Sequence, residues 1–427
     1  MRRLLAVALL AGLLAACGGR QPATPPSMAV GLLYPTTGPQ GPQGLEEQRG
    51  AELAAQWARS HGVDVKLVTA DVATPEDVPD AMAALQRAGV SVVVGTHGST
   101  YSAVAAAEAT RRHMLVWETG AVGDVGWSPA PTYDNPYGTD NYDTDGPVAA
   151  GVDFIRMAPM GGDLGKAAVD FVRTGLGHPA PLRWAIAYVD DPYGRAVEAG
   201  AAAEVRATGQ PLVGQFPYQQ NGTDFAALAQ RIAALHPQAL YVSAYLDDGT
   251  ALRRALAAEH VALDVNLGTS SSYCMPAFGQ RLGADAVGVF ASDKPDAAAV
   301  RPDALSPEGR ATLAWASTRY AAAYHQAMTS HALSGFSNAY ALFVHVLPVA
   351  GRATTDAVAT AAQAVKLPIG SLANGGGLDI APRGAADAGN NRNAAGVIWE
   401  WIAPGQEMVV WPPAFATHPV VHLPIDR

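Results

Sequence analysis

From residue 28 onward the chain alternates short apolar runs with longer stretches of helical spacing. Strands are expected at 28–33, 63–68, 90–94 and 114–117, with helices at 45–60, 79–88 and 103–112 between them. Runs such as Val92-Val93-Val94 have no polar alternate positions. A strand of that kind is buried on both faces, as in a parallel sheet covered by helices on each side. The pattern stops between Asp124 and Gly146, a stretch of Gly, Pro, Asp and Tyr without period. Loops of this length inside a compact domain are usually functional or mobile.

The alternation then restarts. Strands are expected at 184–189, 239–242, 265–268 and 286–291, and helices at 194–208, 225–235 and 249–259. Two successive βα series predict an α/β protein of two doubly wound, Rossmann-like lobes. Long helices follow at 308–328 and 335–350, then a Gly- and Asn-rich stretch from Gly370. Apolar runs at 397–402 and 408–411, joined by 403–407, read as a terminal β-hairpin.

The start of the chain has another character. Arg2 and Arg3 precede an apolar run at 4–14, then Leu14-Ala15-Ala16-Cys17. A basic start, an apolar core too short to span a bilayer and a small-residue cleavage site make a secretory signal, residues 1–16. A cysteine directly after the small residues is the lipobox pattern of bacterial lipoproteins, in which Cys17 is diacylated and becomes the new N-terminus. Residues 17–27, rich in Gly and Pro, then form a flexible tether holding the body off a membrane. No later apolar stretch is expected to approach membrane-spanning length. The formal charge of −10 and the lack of a basic run beyond Arg2-Arg3 argue against nucleic acid as a partner. With Cys17 lipidated, Cys274 has no mate and reads as a buried small hydrophobe.

Several motifs, taken in order, resemble the type I periplasmic binding proteins, most closely the branched-chain amino-acid (leucine/isoleucine/valine) binding proteins of ABC importers. They are Gly31-Leu32-Leu33-Tyr34-Pro35-Thr36-Thr37-Gly38-Pro39, Arg49-Gly50-Ala51-Glu52 and Val93-Val94-Gly95-Thr96-His97-Gly98-Ser99-Thr100. Further on come Phe154-Ile155-Arg156-Met157-Ala158-Pro159, Tyr188-Val189-Asp190-Asp191-Pro192-Tyr193-Gly194, Asn221-Gly222-Thr223-Asp224-Phe225 and the terminal hairpin. The resemblance implies two lobes joined by three crossing segments, near 152–156, near 289–293 and just before Gly370. Lobe 1 would take 28–152 and 293–367, and lobe 2 would take 153–292 and 368–427. A ligand would be held in the cleft between them, and no cofactor is implied. The partners implied are a small-molecule ligand, ABC permease and ATPase subunits, and the membrane through the N-terminal lipid, with the protein itself a monomer.

Ligand residues follow from position. Ser99 and Thr100 enter a helix after an apolar strand, where backbone N–H groups and hydroxyls favour an anion. A plain helix cap is the alternative there. By resemblance Ser99 matches the serine that bonds a ligand carboxylate. Gly120 and Ala121 fall in the second ligand loop, where Val122 replaces an expected hydroxyl. Glu118 in that loop is either ligand-facing or solvated. Tyr193 and Tyr245 match cleft aromatics, and Gln43 stands where an aromatic would sit. Trp117, Trp127 and Tyr101 are further stacking candidates. The family's acid for a ligand α-ammonium should follow the strand at 265–268, but the chain reads Thr269-Ser270-Ser271-Ser272 there. An unpaired buried ammonium costs several kcal/mol. Unless Glu118, Asp247 or Asp248 substitutes, the ligand is expected to be something other than a free amino acid, a neutral or carboxylate-bearing molecule with an apolar or aromatic body.

Residues 141–146 resemble half of a calcium loop, but Val152 stands where the closing glutamate belongs, so an acidic surface loop and no metal is the reading. No Gly-x-Ser-x-Gly elbow, His-Glu-x-x-His pair or P-loop occurs, which places an exported enzyme behind a solute-binding lipoprotein and a sensor subunit of the same fold.

Overall fold

The computed structural model describes residues 28–123, 152–178, 180–385 and 387–425. The calcium-like stretch at 141–146, Trp127 and Cys17 lie outside them.

The first lobe is built on β1 (Met28–Tyr34), β2 (Val65–Asp71), β3 (Val92–Gly95), β4 (Leu115–Glu118) and β5 (Phe154–Arg156), all parallel, in the order β2-β1-β3-β4-β5. Alternation through the sheet explains why its strands read as continuous apolar runs. Val92, Val94, Trp117 and Ile155 enter one core, beneath α1 (Gly41–Ser60), α9 (Pro307–Tyr324) and α10 (Ser330–Tyr340). Val93, Val116 and Phe154 enter the opposite core, with α2 (Val78–Arg87) and α3 (Ser99–Arg112).

The second lobe repeats the plan. Strands β6 (Trp184–Val189), β7 (Leu212–Tyr218), β8 (Ala239–Ser243), β9 (Val265–Thr269) and β10 (Phe290–Asp293) are parallel in the order β7-β6-β8-β9-β10. The hairpin expected at the C-terminus is present as β11 (Val397–Ala403) and β12 (Gln406–Trp411), which extend this sheet antiparallel beyond β10. Both lobes thus have their strand order reverse between the first and third strands of their series. In open parallel sheets a ligand binds at the carboxyl ends of the strands on either side of such a reversal.

Some elements escape the sequence pattern. Strand β7 contains Gly214 and Pro217 and lies at a sheet edge, where only Phe216 and Tyr218 are buried. Helix α4 (Gly161–Asp170) is short and Gly-rich, so its apolar stripe is faint.

The lobe boundaries also shift from those expected. Strand β5 pairs with β4, so residues 154–156 belong to the first sheet rather than to a crossing. Leu372, Leu378 and Ile380 bury themselves in the first lobe, and Leu367 pairs antiparallel with Leu378. The third crossing therefore lies between Asn391, bridged to Ile380, and the start of β11, not before Gly370. The second crossing leaves β10 at Asp293 and reaches the first core by Val300. Contrary to the expectation from sequence, one helical stretch among the described residues, Ser330–Ala350, is long and apolar enough to span a membrane, but most of it is buried in the molecule. Its apolarity serves the first core.

Candidate ligand-binding cleft

Strand ends from both lobes converge on one cavity enclosing about 320 Å³ of atom-free space, part of it open to solvent. The first lobe contributes Gln40 from the loop before α1, the turn His97-Gly98-Ser99, and Gly120-Ala121-Val122 after β4. The second contributes Tyr193 at the start of α5 (Pro192–Ala207), Tyr245 before α7 (Leu246–Ala258), and Ser270-Ser271 after β9. Lys294 arrives on the second crossing, and His331 from the first turn of α10.

The turn after β3 is tight, with His97 at φ 112°, a strained value for a residue with a side chain. Its ring is held by Glu47, Nδ1 to Oε1 at 2.9 Å, and by edge-on packing with His331. Helix α3 has no side-chain cap. Gly98 precedes it, and Ser99 spends its oxygen on the Gly123 amide at 2.9 Å instead. The capping alternative for Ser99 therefore fails. Its hydroxyl proton stays free to donate to a ligand, beside the open amides of the first turn.

Glu118 is neither ligand-facing nor solvated. It is fully buried, and its carboxylate turns back onto the chain. Oε2 accepts from Thr96 N (2.7 Å), Thr96 Oγ1 (3.0 Å) and Ser102 Oγ. Oε1 accepts from the amides of Gly120 (2.7 Å) and Ala121 (2.8 Å). Burial alone would raise its pKa, but these donors outweigh burial and hold it below the ordinary carboxylate value. Trp117 beside it is buried in the first core, where its Nε1 donates to the Asn338 carbonyl at 2.8 Å.

Ser99, Gly120, Ala121, Tyr193, Tyr245 and Ser270 all line this cavity. Thr100, Trp117, Glu118 and Gln43 do not line the cavity. Gln43 instead reaches across to the Met275 sulfur at 3.8 Å, and Tyr101 donates to the Ala73 carbonyl at 2.9 Å. Tyr193 and Tyr245 face each other at 5.4 Å between ring centroids. The Tyr245 hydroxyl donates to Asp191 at 2.7 Å, and Asp191 also accepts the Gly194 amide at 2.8 Å as the cap of α5.

The substitute acids are otherwise engaged. Asp248 accepts from the Tyr218 hydroxyl at 2.6 Å, and Asp247 is exposed and bonded to Arg281. Among the described residues, no carboxylate lines the cavity. Lys294, in contrast, was missed by sequence reasoning. It is 4% exposed and donates from Nζ to the Gly120 carbonyl at 3.0 Å. Its only sequence signal was a lysine directly after an apolar strand expected to cross between lobes. Behind it, buried Cys274 donates to Asp293 at 2.8 Å, and burial pushes the thiol well up, so the cysteine is inert as expected. Among the described residues no group of three or more His, Cys, Asp or Glu side chains could hold a metal ion.

Two doubly wound lobes, three crossings and a polar cavity at facing strand ends define a two-lobed binding protein of the type I periplasmic class. The chain belongs to that family: the model described as periplasmic binding protein matches residues 27–391. Among solved structures it is similar to a solute-binding protein of an R. palustris ABC transporter in complex with benzoate, at 17% identity and TM-score 0.67, covering 93% of this chain and 99% of that one. It is also similar to a leucine-binding protein of Thermotoga maritima, at 16% identity and TM-score 0.68, covering 90% and 97%. A third is a solute-binding protein of Rhodopseudomonas palustris in complex with 3,4-dihydroxybenzoic acid, at 17% identity and TM-score 0.63, covering 88% and 93%. No curated protein matches the chain.

Proposed function

We propose that the protein is an exported, lipid-anchored solute-binding protein that captures a small organic ligand between its lobes and delivers it to an ABC importer. The observation that carries this reading is the single cavity to which both lobes and one crossing contribute polar groups. A ligand bonded to both lobes stabilises their approach, and that approach is what a permease would read. Ser99, Gly120, Ala121, Tyr193, Tyr245 and Ser270 are the proposed contacts, with His97, His331 and Lys294 added. The ligand is read as other than leucine, because no acid for an α-ammonium is among the described residues that line the cavity. Two neighbours of the same fold are described with benzoate and with 3,4-dihydroxybenzoic acid, which lack that group. The N-terminal pattern supports export, lipidation at Cys17 and tethering near a permease.

A thermal-shift screen tests the reading. Aromatic and aliphatic organic acids are expected to raise the melting temperature, because a ligand that binds only the folded chain stabilises it by about 2.7 kcal/mol at a hundredfold its Kd. Strong stabilisation by leucine, isoleucine or valine, with none from organic acids, would overturn the ligand class. No response to either, together with no small molecule released on heating the purified chain, would overturn the binding function.

A further inference from the structure

An amino acid in a cleft of this design brings its own cation, and the protein must supply an acid and a carbonyl to hold it. Here the carbonyl is present and already occupied. Gly120 O, in the second ligand loop, accepts from Lys294 Nζ at 3.0 Å. Among the described residues, no carboxylate lies within ion-pair distance of that ammonium. Glu118 is spent on the backbone of its loop, Glu47 on His97, and Asp191 on Tyr245 and Gly194, while Asp293 accepts from Cys274 through one oxygen and acts on the Lys294 ammonium only through its charge. A lysine ammonium has three donors, and one is used. Lys294 is among the residues that line the cavity.

We infer that Lys294 is the built-in cation of the cleft and fixes its ligand class as an organic carboxylate that carries no α-ammonium. This rests on the solute-binding reading above and deepens it. Two positive features face one cavity, the Lys294 ammonium and the uncapped N-terminus of α3 with the Ser99 hydroxyl beside it. A buried ligand carboxylate lying between them has its charge neutralised and its oxygens bonded. A ligand ammonium would meet Lys294 instead, with Gly120 O already taken and no acid among the described residues that line the cavity to pair with it. The inference also explains why the serines after β9 are tolerated where an acid would otherwise stand. Because Lys294 sits on a crossing between lobes, a ligand bonded to it is tied to the hinge as well as to the strand ends.

The test uses the full-length chain in detergent and pairs of molecules differing in one group, measured by calorimetry. The pairs are 4-methylpentanoate with leucine, 3-phenylpropanoate with phenylalanine, and benzoate with benzamide. The carboxylate of at least one pair is expected to bind at least about thirtyfold tighter than its partner, the low end for leaving one member of a buried charge pair alone. In Lys294→Met that carboxylate should lose about the same factor, while Lys294→Arg, which keeps the cation, should retain most of the affinity. Melting curves of both variants separate lost binding from lost folding, and the native pairs decide the class even where a variant unfolds. Leucine or benzamide binding as well as its carboxylate partner overturns the inference but leaves a solute-binding protein. Undiminished carboxylate binding in folded Lys294→Met overturns it too. A native chain that binds no member of any pair at millimolar concentration overturns both the inference and the reading beneath it.

Discussion

Glu118 ties both ligand loops of the first lobe to a single carboxylate. It accepts from Thr96 and Ser102 on one side and from Gly120 and Ala121 on the other. Glu118→Gln replaces one acceptor oxygen by a donor facing donors. It should cost about 2–3 kcal/mol of stability, measured by urea unfolding, and weaken ligand binding as the loops separate. Its folded pKa is depressed, so its contribution is full above the unfolded carboxylate value and is lost as pH falls through the folded one. Asp191 has the opposite sign. Burial, only partly offset by hydrogen bonds from Gly194 and Tyr245, raises it to about 6. Stability tied to its protonated form is full below pH about 4 and is lost as pH rises through about 6. Asn caps helices as well as Asp does. Asp191→Asn is therefore expected to flatten part of the fall in melting temperature between pH 4 and 7, and an unchanged slope would refute this account of Asp191. Neither role was legible in the sequence, where an acid after a strand looks the same whether it meets a ligand, water or its own backbone.

At the scale of elements, the alternation of apolar runs with amphipathic stretches was legible because strand burial on two faces leaves a local trace. What left no trace was the closeness of helices. Helix α1 lies against α10 with backbones in contact: a Cβ on Gly50 would stand 2.0 Å from the Ala332 carbonyl oxygen and 2.6 Å from the Phe336 nitrogen. Gly50→Ala should thus destabilise the chain by about 1–3 kcal/mol in denaturant titrations, although alanine is the better helix former. Because α10 also carries His331 into the cavity, the same substitution is expected to weaken ligand binding. The second lobe uses the same device, since a Cβ on Gly200 of α5 would stand 2.1 Å from the Gly162 carbonyl of α4. Edge strand β7 was illegible for another reason. An edge strand needs only one paired side, so Gly214 and Pro217 are tolerated and the pattern fades.

For the whole molecule, the lipidation proposed at Cys17 would tie capture to a surface. If Cys17 bears the lipid, Cys17→Ser is expected to abolish incorporation of labelled palmitate and move the protein from the membrane to the soluble fraction, with ligand affinity unchanged. Retained label would refute it. The sequence by itself determined the order of strands and helices, the two lobes and the export pattern at the N-terminus. It also identified the strand ends that build the cleft, because each of these is written in neighbouring residues. Only the tertiary structure decided the charge of that cleft. Lys294 and Gly120 are 174 residues apart, and Glu118 turns inward because Thr96 and Ser102 of other elements meet it there. Whether a buried charge faces a ligand or the backbone depends on which distant segments supply its partners, and no local period records that.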